Sequence, residues 1–220
     1  MGGISYRLEQ KEGLKWQENK FNNKIKTKPS MERIKAEVKN KLAEQAYNTA
    51  IAHGFWEQHP STQHFMAGVI CELAECITAY NHCKIARMSL FEANCNTQQP
   101  AGTETKHWCF CFDTLVKDSV EDELADAYIR MLNMAGGYGY QFHDKQLRSY
   151  VVDESRSFIE NMYLIMAVCC DVMADEQQCI KYALIQVERM AELMHIDLLK
   201  HVKLKMEYNQ YRAYKHGNSF

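Results

Sequence analysis

The sequence has no apolar stretch long enough to cross a bilayer. Even the run over 162–170 soon meets Asp171 and Asp175. Its opening, MGGISYRLEQ, carries neither an apolar run nor a cleavage-type pattern, so export is not expected. An excess of one charge is lacking too. Lys+Arg number 26 against 28 Asp+Glu, a net of −2, so no global basic field is there to recruit nucleic acid or an anionic membrane. Any phosphate binding must be local. Strand-like alternation is missing throughout, which leaves an all-α fold. Nine cysteines are many, yet without a sign of export their thiols are expected to be reduced. The expectation is a soluble, cytoplasmic protein with no nucleic-acid and no membrane partner.

What is present is acid in an unusual place. Glu72 and Glu75 lie in CELAEC, and Glu123 and Asp126 lie in EDELADAYIR. Each pair is spaced i, i+3, so both carboxylates project from one helix face. If the two faces meet, four acids converge on one small volume, and their repulsion requires a hard, oxygen-seeking cation such as Mg²⁺. An isolated pair of this spacing is usually a solvated surface feature. These two are embedded in apolar sequence. Around the second pair, Val120, Leu124, Ala127, Tyr128, Met131 and Leu132 make the segment apolar over most of its circumference. Glu123, Asp126 and Arg130 form a stripe about 60° wide on it. Arg130 is expected to hold Glu123 and Asp126 in place through charge-assisted hydrogen bonds.

Residues 1–30 read as a polar N-terminal arm, and 31–220 as a single all-α domain. The periodicity predicts helices over 31–53, 61–86, 117–135, 154–173, 176–195 and 198–212. Gly54 closes the first, and Gly136-Gly137 the third. Gly136, Gly137 and Gly139 follow a helix with no strand before them, so they read as helix termination rather than a phosphate cradle. The segment 94–112, with Pro100 and Gly102 and no clear period, reads as a long loop. Its Cys95, His107, Cys109 and Cys111 lack the paired C-x₂-C spacing of a zinc site and read as small buried hydrophobes in that loop. The stretch 186–194 faintly echoes 127–135, with Tyr182 and Ile185 where Glu123 and Asp126 stand. A degenerate second repeat without ligands would then make 31–145 the metal-binding half and 146–220 a scaffold half with a basic tail.

The segments Glu72-Leu73-Ala74-Glu75 and Glu123-Leu124-Ala125-Asp126 together resemble the E-x-x-E…E-x-x-D signature of the all-α nucleoside triphosphate pyrophosphohydrolases, which include MazG-like proteins and dimeric dUTPases. HGFW over 53–56 is similar to these proteins as well. So is the ending, where Lys205, Asn209 and Arg212 follow a K-x-x-x-N-x-x-R pattern, with Lys215 and Gly217 beyond. The resemblance covers 53–220. Two features depart from it: Cys71 stands where many MazG-like motifs begin with a first of two adjacent glutamates, and the spacer from Glu75 to Glu123 is longer than usual.

The resemblance implies a helical bundle that hydrolyses an NTP or dNTP between the α and β phosphates, giving the monophosphate and pyrophosphate. Glu72, Glu75, Glu123 and Asp126 would hold Mg²⁺, with Mn²⁺ as a substitute, and any of the four could polarise the attacking water. Lys205, Arg212 and Lys215 would reach the β and γ groups and Asn209 the sugar or a phosphate, the competing role being a basic helix end that offsets the macrodipole. Trp56 would stack on the base, or pack with Phe55 into the core. Relatives commonly form dimers or higher assemblies, whereas a fused repeat would let one chain supply both halves of the cleft.

Two other functions compete. Glu192 and His195 form an E-x-x-H pair suited to a di-iron bundle, with Glu104 and His107 as its only counterpart, in the loop. Alternatively the acids form salt bridges with neighbouring helices in a non-catalytic interaction module.

Overall fold

A computed structural model describes residues 34–95, 97, 102–144, 149–171 and 175–213. The polar arm, the start of the first predicted helix, Lys215 and Gly217 lie outside the described residues. Eight helices and no strand occur among those described, so the chain is all-α: α1 Ala36–Ala52, α2 Thr62–Asn81, α3 Met88–Cys95, α4 Glu104–Leu115, α5 Val120–Gly137, α6 Phe158–Cys170, α7 Glu176–Leu193 and α8 Leu198–Gln210. No described helix is long and apolar enough to cross a membrane.

Local chemistry sets the helix ends. Ser61, Ser119, Ser157, Asp175 and Asp197 each accept a hydrogen bond from a first-turn backbone N–H, and Ser157 completes a capping box with Glu160. Helix α2 stops at Asn81, five residues before the predicted end at 86. Cys83 takes a left-handed φ of 54° there, and the N–H groups of Cys83 and Lys84 turn back to the carbonyls of Tyr80 and Ala79. That is a Schellman closure made without glycine. The segment predicted as a loop over 94–112 is largely helical. It holds the end of α3 and most of α4, because Phe91, Phe112 and Val116 form a small core of their own, on which Trp108 and Tyr208 pack. Helical period was hidden there by the consecutive run Trp108 to Phe112, whose member Phe110 faces solvent. Cys111 is buried, as expected of a small hydrophobe, while Cys95 and Cys109 are half-buried.

Helix α5 is the axis of the molecule, packed by α1, α2, α7 and α8. Leu124, Ala125, Tyr128, Met131, Leu132 and Met134 on it are fully enclosed. One polar group inside the core is met from two neighbouring helices: the Tyr128 hydroxyl donates to Glu188 Oε1 at 2.7 Å, and Lys39 from α1 pairs with the same oxygen at 2.5 Å. This buried triad ties α1, α5 and α7 together.

Gly136 and Gly137 are the last two residues of α5, two beyond the predicted end at 135, and the left-handed closing residue is Gly139, at φ 69°, with Tyr140 N–H bonded back to Ala135. The glycine pair is there for proximity. A Cβ on Gly136 would stand 2.3 Å from the Ala43 carbonyl oxygen of α1, and one on Gly137 would stand 2.3 Å from the Trp56 ring. Gly136→Ala must push two backbones apart, so it is expected to lower unfolding free energy by about 1–3 kcal/mol. Urea denaturation at neutral pH checks this, and an unchanged midpoint would show that α1 does not hold that close approach in solution.

Candidate functional site

The two acid pairs meet where α2 crosses the first turns of α5. Carboxylate oxygens of Glu72, Glu75 and Glu123 lie within 4.8 Å of one another. Glu72 and Glu123 are buried and Glu75 is exposed, so the cluster opens to solvent on one side. The fourth acid, Asp126, is not in that group of three. Its Oδ2 is 2.7 Å from Lys205 Nζ, and its side chain borders an adjoining cavity. A second group, Asp118, Asp122 and Glu123, shares Glu123 with the first. Asp122 went unremarked in the sequence because it sits in an acidic first turn, where charge is ordinarily solvated and favoured by the helix dipole.

Lys205 is placed differently from the sequence expectation. It does not extend from a tail toward phosphate. It is only 3 % exposed and donates to Asp122 and Asp126, 2.7 Å from each. The reason is its position on the inner face of α8, which packs on α5. Burial opposes its charge, but the two aspartates more than reverse this and hold it firmly protonated. Arg130 also differs: its guanidinium binds Glu72 across the helix pair, with Nε to Oε1 at 2.6 Å, instead of the acids of its own helix. Gly68 on α2 makes room, since a Cβ there would be 3.1 Å from the Arg130 Nη1.

Five carboxylates, Glu72, Glu75, Asp122, Glu123 and Asp126, thus face two protein cations, Arg130 and Lys205. Glu75 and Glu123 form no ion pair with a described residue. Glu123 is the extreme case, 3 % exposed. Burial, then the neighbouring Asp122 and Asp126, push its carboxyl up to about 9. Burial likewise pushes Asp122 up to about 7 despite Lys205, and raises Glu72 despite Arg130. An all-oxygen donor set with surplus negative charge fits a hard divalent cation, Mg²⁺ or Mn²⁺. Among the described residues, no comparable group includes Glu192, His195, Glu104 or His107, nor Cys95, Cys109 or Cys111. Glu192 instead pairs with Arg189 at 3.1 Å.

Beside the acids lies a cavity of about 170 Å³. Glu72, Asp126 and Arg130 form its acidic end, Asn209 and Arg212 come from the end of α8 and just beyond it, and Phe55 and Phe65 give apolar wall. Arg212 makes no ion pair with a described residue. Trp56, expected as a base-stacking surface, is not on the wall. It packs against Phe65 and Tyr138, with ring centroids 4.6 and 5.6 Å away, and edge-on to Tyr47. Its indole N–H donates to Asn133 Oδ1 at 2.9 Å. The adjacent Phe55 takes the wall position. Asn133 was missed in the sequence, although it continues the stripe of Glu123, Asp126 and Arg130 along α5 and so was legible from spacing.

No family model matches the chain, and no curated protein or solved structure matches it. The MazG-like resemblance therefore rests on the motifs and their placement.

The raised carboxyls fix the sign of a pH effect. A group whose folded pKa lies above its unfolded value contributes stability in full below the unfolded value, and that contribution is lost as pH rises through the folded one. Cation-free protein should therefore lose melting temperature between about pH 4.5 and 9, as Glu123 and Asp122 are forced to ionise. Glu123→Gln should flatten that slope. Scanning calorimetry in chelator across this range tests both, and a melting temperature that rises through the alkaline half would refute the burial of net negative charge.

Proposed function

We propose that this chain is a Mg²⁺-dependent nucleoside triphosphate pyrophosphohydrolase of the MazG-like type, converting an NTP or dNTP to the monophosphate and pyrophosphate. The observation that carries the reading is Glu123, a buried carboxyl that forms no ion pair with a described residue, converging with Glu72 and Glu75 from the facing helix. Such a group is neutralised by its own proton or by a bound cation, and the convergence of two further carboxyl groups on it favours the cation. The cavity alongside is walled by Arg130 and Arg212 at one side and by aromatic carbon at the other, which suits a ligand both phosphorylated and flat.

Glu72, Glu75 and Glu123 would hold the cation. When bound, Mg²⁺ neutralises triphosphate charge and makes the α-phosphorus more open to attack. The protein's own residues do the rest. Arg130 keeps Glu72 oriented while its half-exposed guanidinium remains within reach of a phosphate oxygen, and Arg212 supplies the fork that a terminal phosphate needs. Lys205 acts from behind the site. By binding Oδ2 it orients the Asp126 side chain at the edge of the cavity, leaving Oδ1 outside that bond. That oxygen accepts a proton from the attacking water as the water oxygen bonds to the α-phosphorus and the α–β bridging oxygen departs with pyrophosphate.

The non-catalytic alternative draws on two observations, the Glu72–Arg130 and Lys205–aspartate bridges between helices. Glu123 separates the two readings because it belongs to neither bridge. Glu123→Gln should abolish Mg²⁺-dependent pyrophosphate release from a panel of NTPs and dNTPs, by 10²-fold or more, while keeping or raising the cation-free melting temperature. Full activity in that variant, or no pyrophosphate from any nucleotide with the wild-type chain, would exclude the hydrolase.

A further inference from the structure

Trp56 and Asn133 meet in a way that gives the cavity a fixed polarity. An indole N–H can only donate. The 2.9 Å bond from Trp56 therefore settles which end of the Asn133 amide is oxygen, and its nitrogen is left as a donor with no partner among the described residues. Asn133 is 9 % exposed, and what it exposes lies on the cavity wall. The indole cannot turn away. Phe65, Tyr138 and Tyr47 enclose it, and it lies against Gly137, where a side chain would collide with it. Asn209 lines the same cavity, with its Oδ1 buried and without a hydrogen bond.

Position along α5 says what this donor meets. Asn133 follows Asp126 by seven residues, on the same stripe, so it stands roughly 10 Å further along the helix axis. The acidic end takes the cation and phosphates. The far end then meets the part of the nucleotide most distant from them, the outer edge of the base. A fixed N–H there is matched by a keto oxygen and opposed by an exocyclic amino group, which would set donor against donor.

Resting on the nucleotide reading above, we propose that Asn133 is the residue that selects the base, that it favours keto bases such as uracil, thymine and guanine over amino bases such as cytosine and adenine, and that Trp56 is its positioning residue. Neither touches the reacting atoms.

The test is calorimetric binding of α,β-imido dUTP and α,β-imido dCTP, which resist cleavage at that bond, to the full chain with Mg²⁺. Wild-type protein should bind the uracil compound at least about tenfold more tightly. Asn133→Asp keeps an oxygen for the indole and presents a second oxygen to the cavity, so it should invert the order. Trp56→Phe frees the amide to flip and should bring the two affinities within about twofold, whereas a purely structural role would weaken both equally. An unaltered preference in Asn133→Asp, or a wild-type preference for cytosine, overturns the base-reading role and leaves the hydrolase standing. Failure of both compounds to bind removes the nucleotide reading and this inference with it.

Discussion

Negative charge that cannot reach solvent governs this molecule. Helix α5 is surrounded by α1, α2, α7 and α8, so acids in its first turns face neighbouring helices rather than water. Such charge must be protonated, paired or held by a cation. The chain uses pairing for part of it: Lys205 from α8 serves Asp122 and Asp126, and Arg130 serves Glu72. Both bridges join different helices, so the neutralising groups also fix the spacing of the bundle at the site. Glu123 is left over, with Glu75 at the rim. The helix dipole favours acids at an N-terminus, but its partial charge is about half a unit and cannot offset several carboxylates.

What the sequence disclosed follows from how each signal arises. Periodicity exposed α1, α2 and α5 to α8 because each has a continuous apolar face, and Ser61 marked where α2 begins. The i, i+3 acids were legible for the same reason, since spacing alone places both on one face and the apolar surroundings of Glu123 announce burial. Helix α4 was hidden because its apolar residues are consecutive and serve a separate small core around Phe112. Nothing local in Lys205 distinguishes a phosphate-binding tail from a buried counter-ion. That depends on which face of α8 meets α5, a tertiary fact. The same holds for Arg130, whose partner is on α2 because Gly68 leaves space for it.

The glycines of α5 illustrate the limit of reading punctuation. A pair of glycines after a helical pattern signals termination when judged by backbone entropy alone. Here the helix includes both and ends at Gly137, because burying α1 and Trp56 against the bare backbone compensates for glycine's low helix propensity. Trp56 was open to two readings for a related reason. An aromatic beside a cleft can serve as a stacking surface or as core, and a missing Cβ at Gly137, eighty-one positions away, decides in favour of core.

On the proposed reading, chemistry and selection would be separated along α5. Asp122, Glu123 and Asp126 sit on the first two turns of α5, two of them paired with Lys205, and meet Glu72 and Glu75 from α2, while Asn133 sits near the other end of α5 and bonds an indole that touches none of those charges. Polar groups on one helix keep their relative spacing to within the stiffness of the helix, so a ligand that satisfies both ends must have the length and edge chemistry that the helix dictates. Walls contributed by α1 and α8 can vary without moving either end. Were the cleft to bind a nucleotide as proposed, altering that one amide would change the base it accepts and leave the acid cluster and its counter-ions untouched, because no hydrogen bond or ion pair on the described residues links the two.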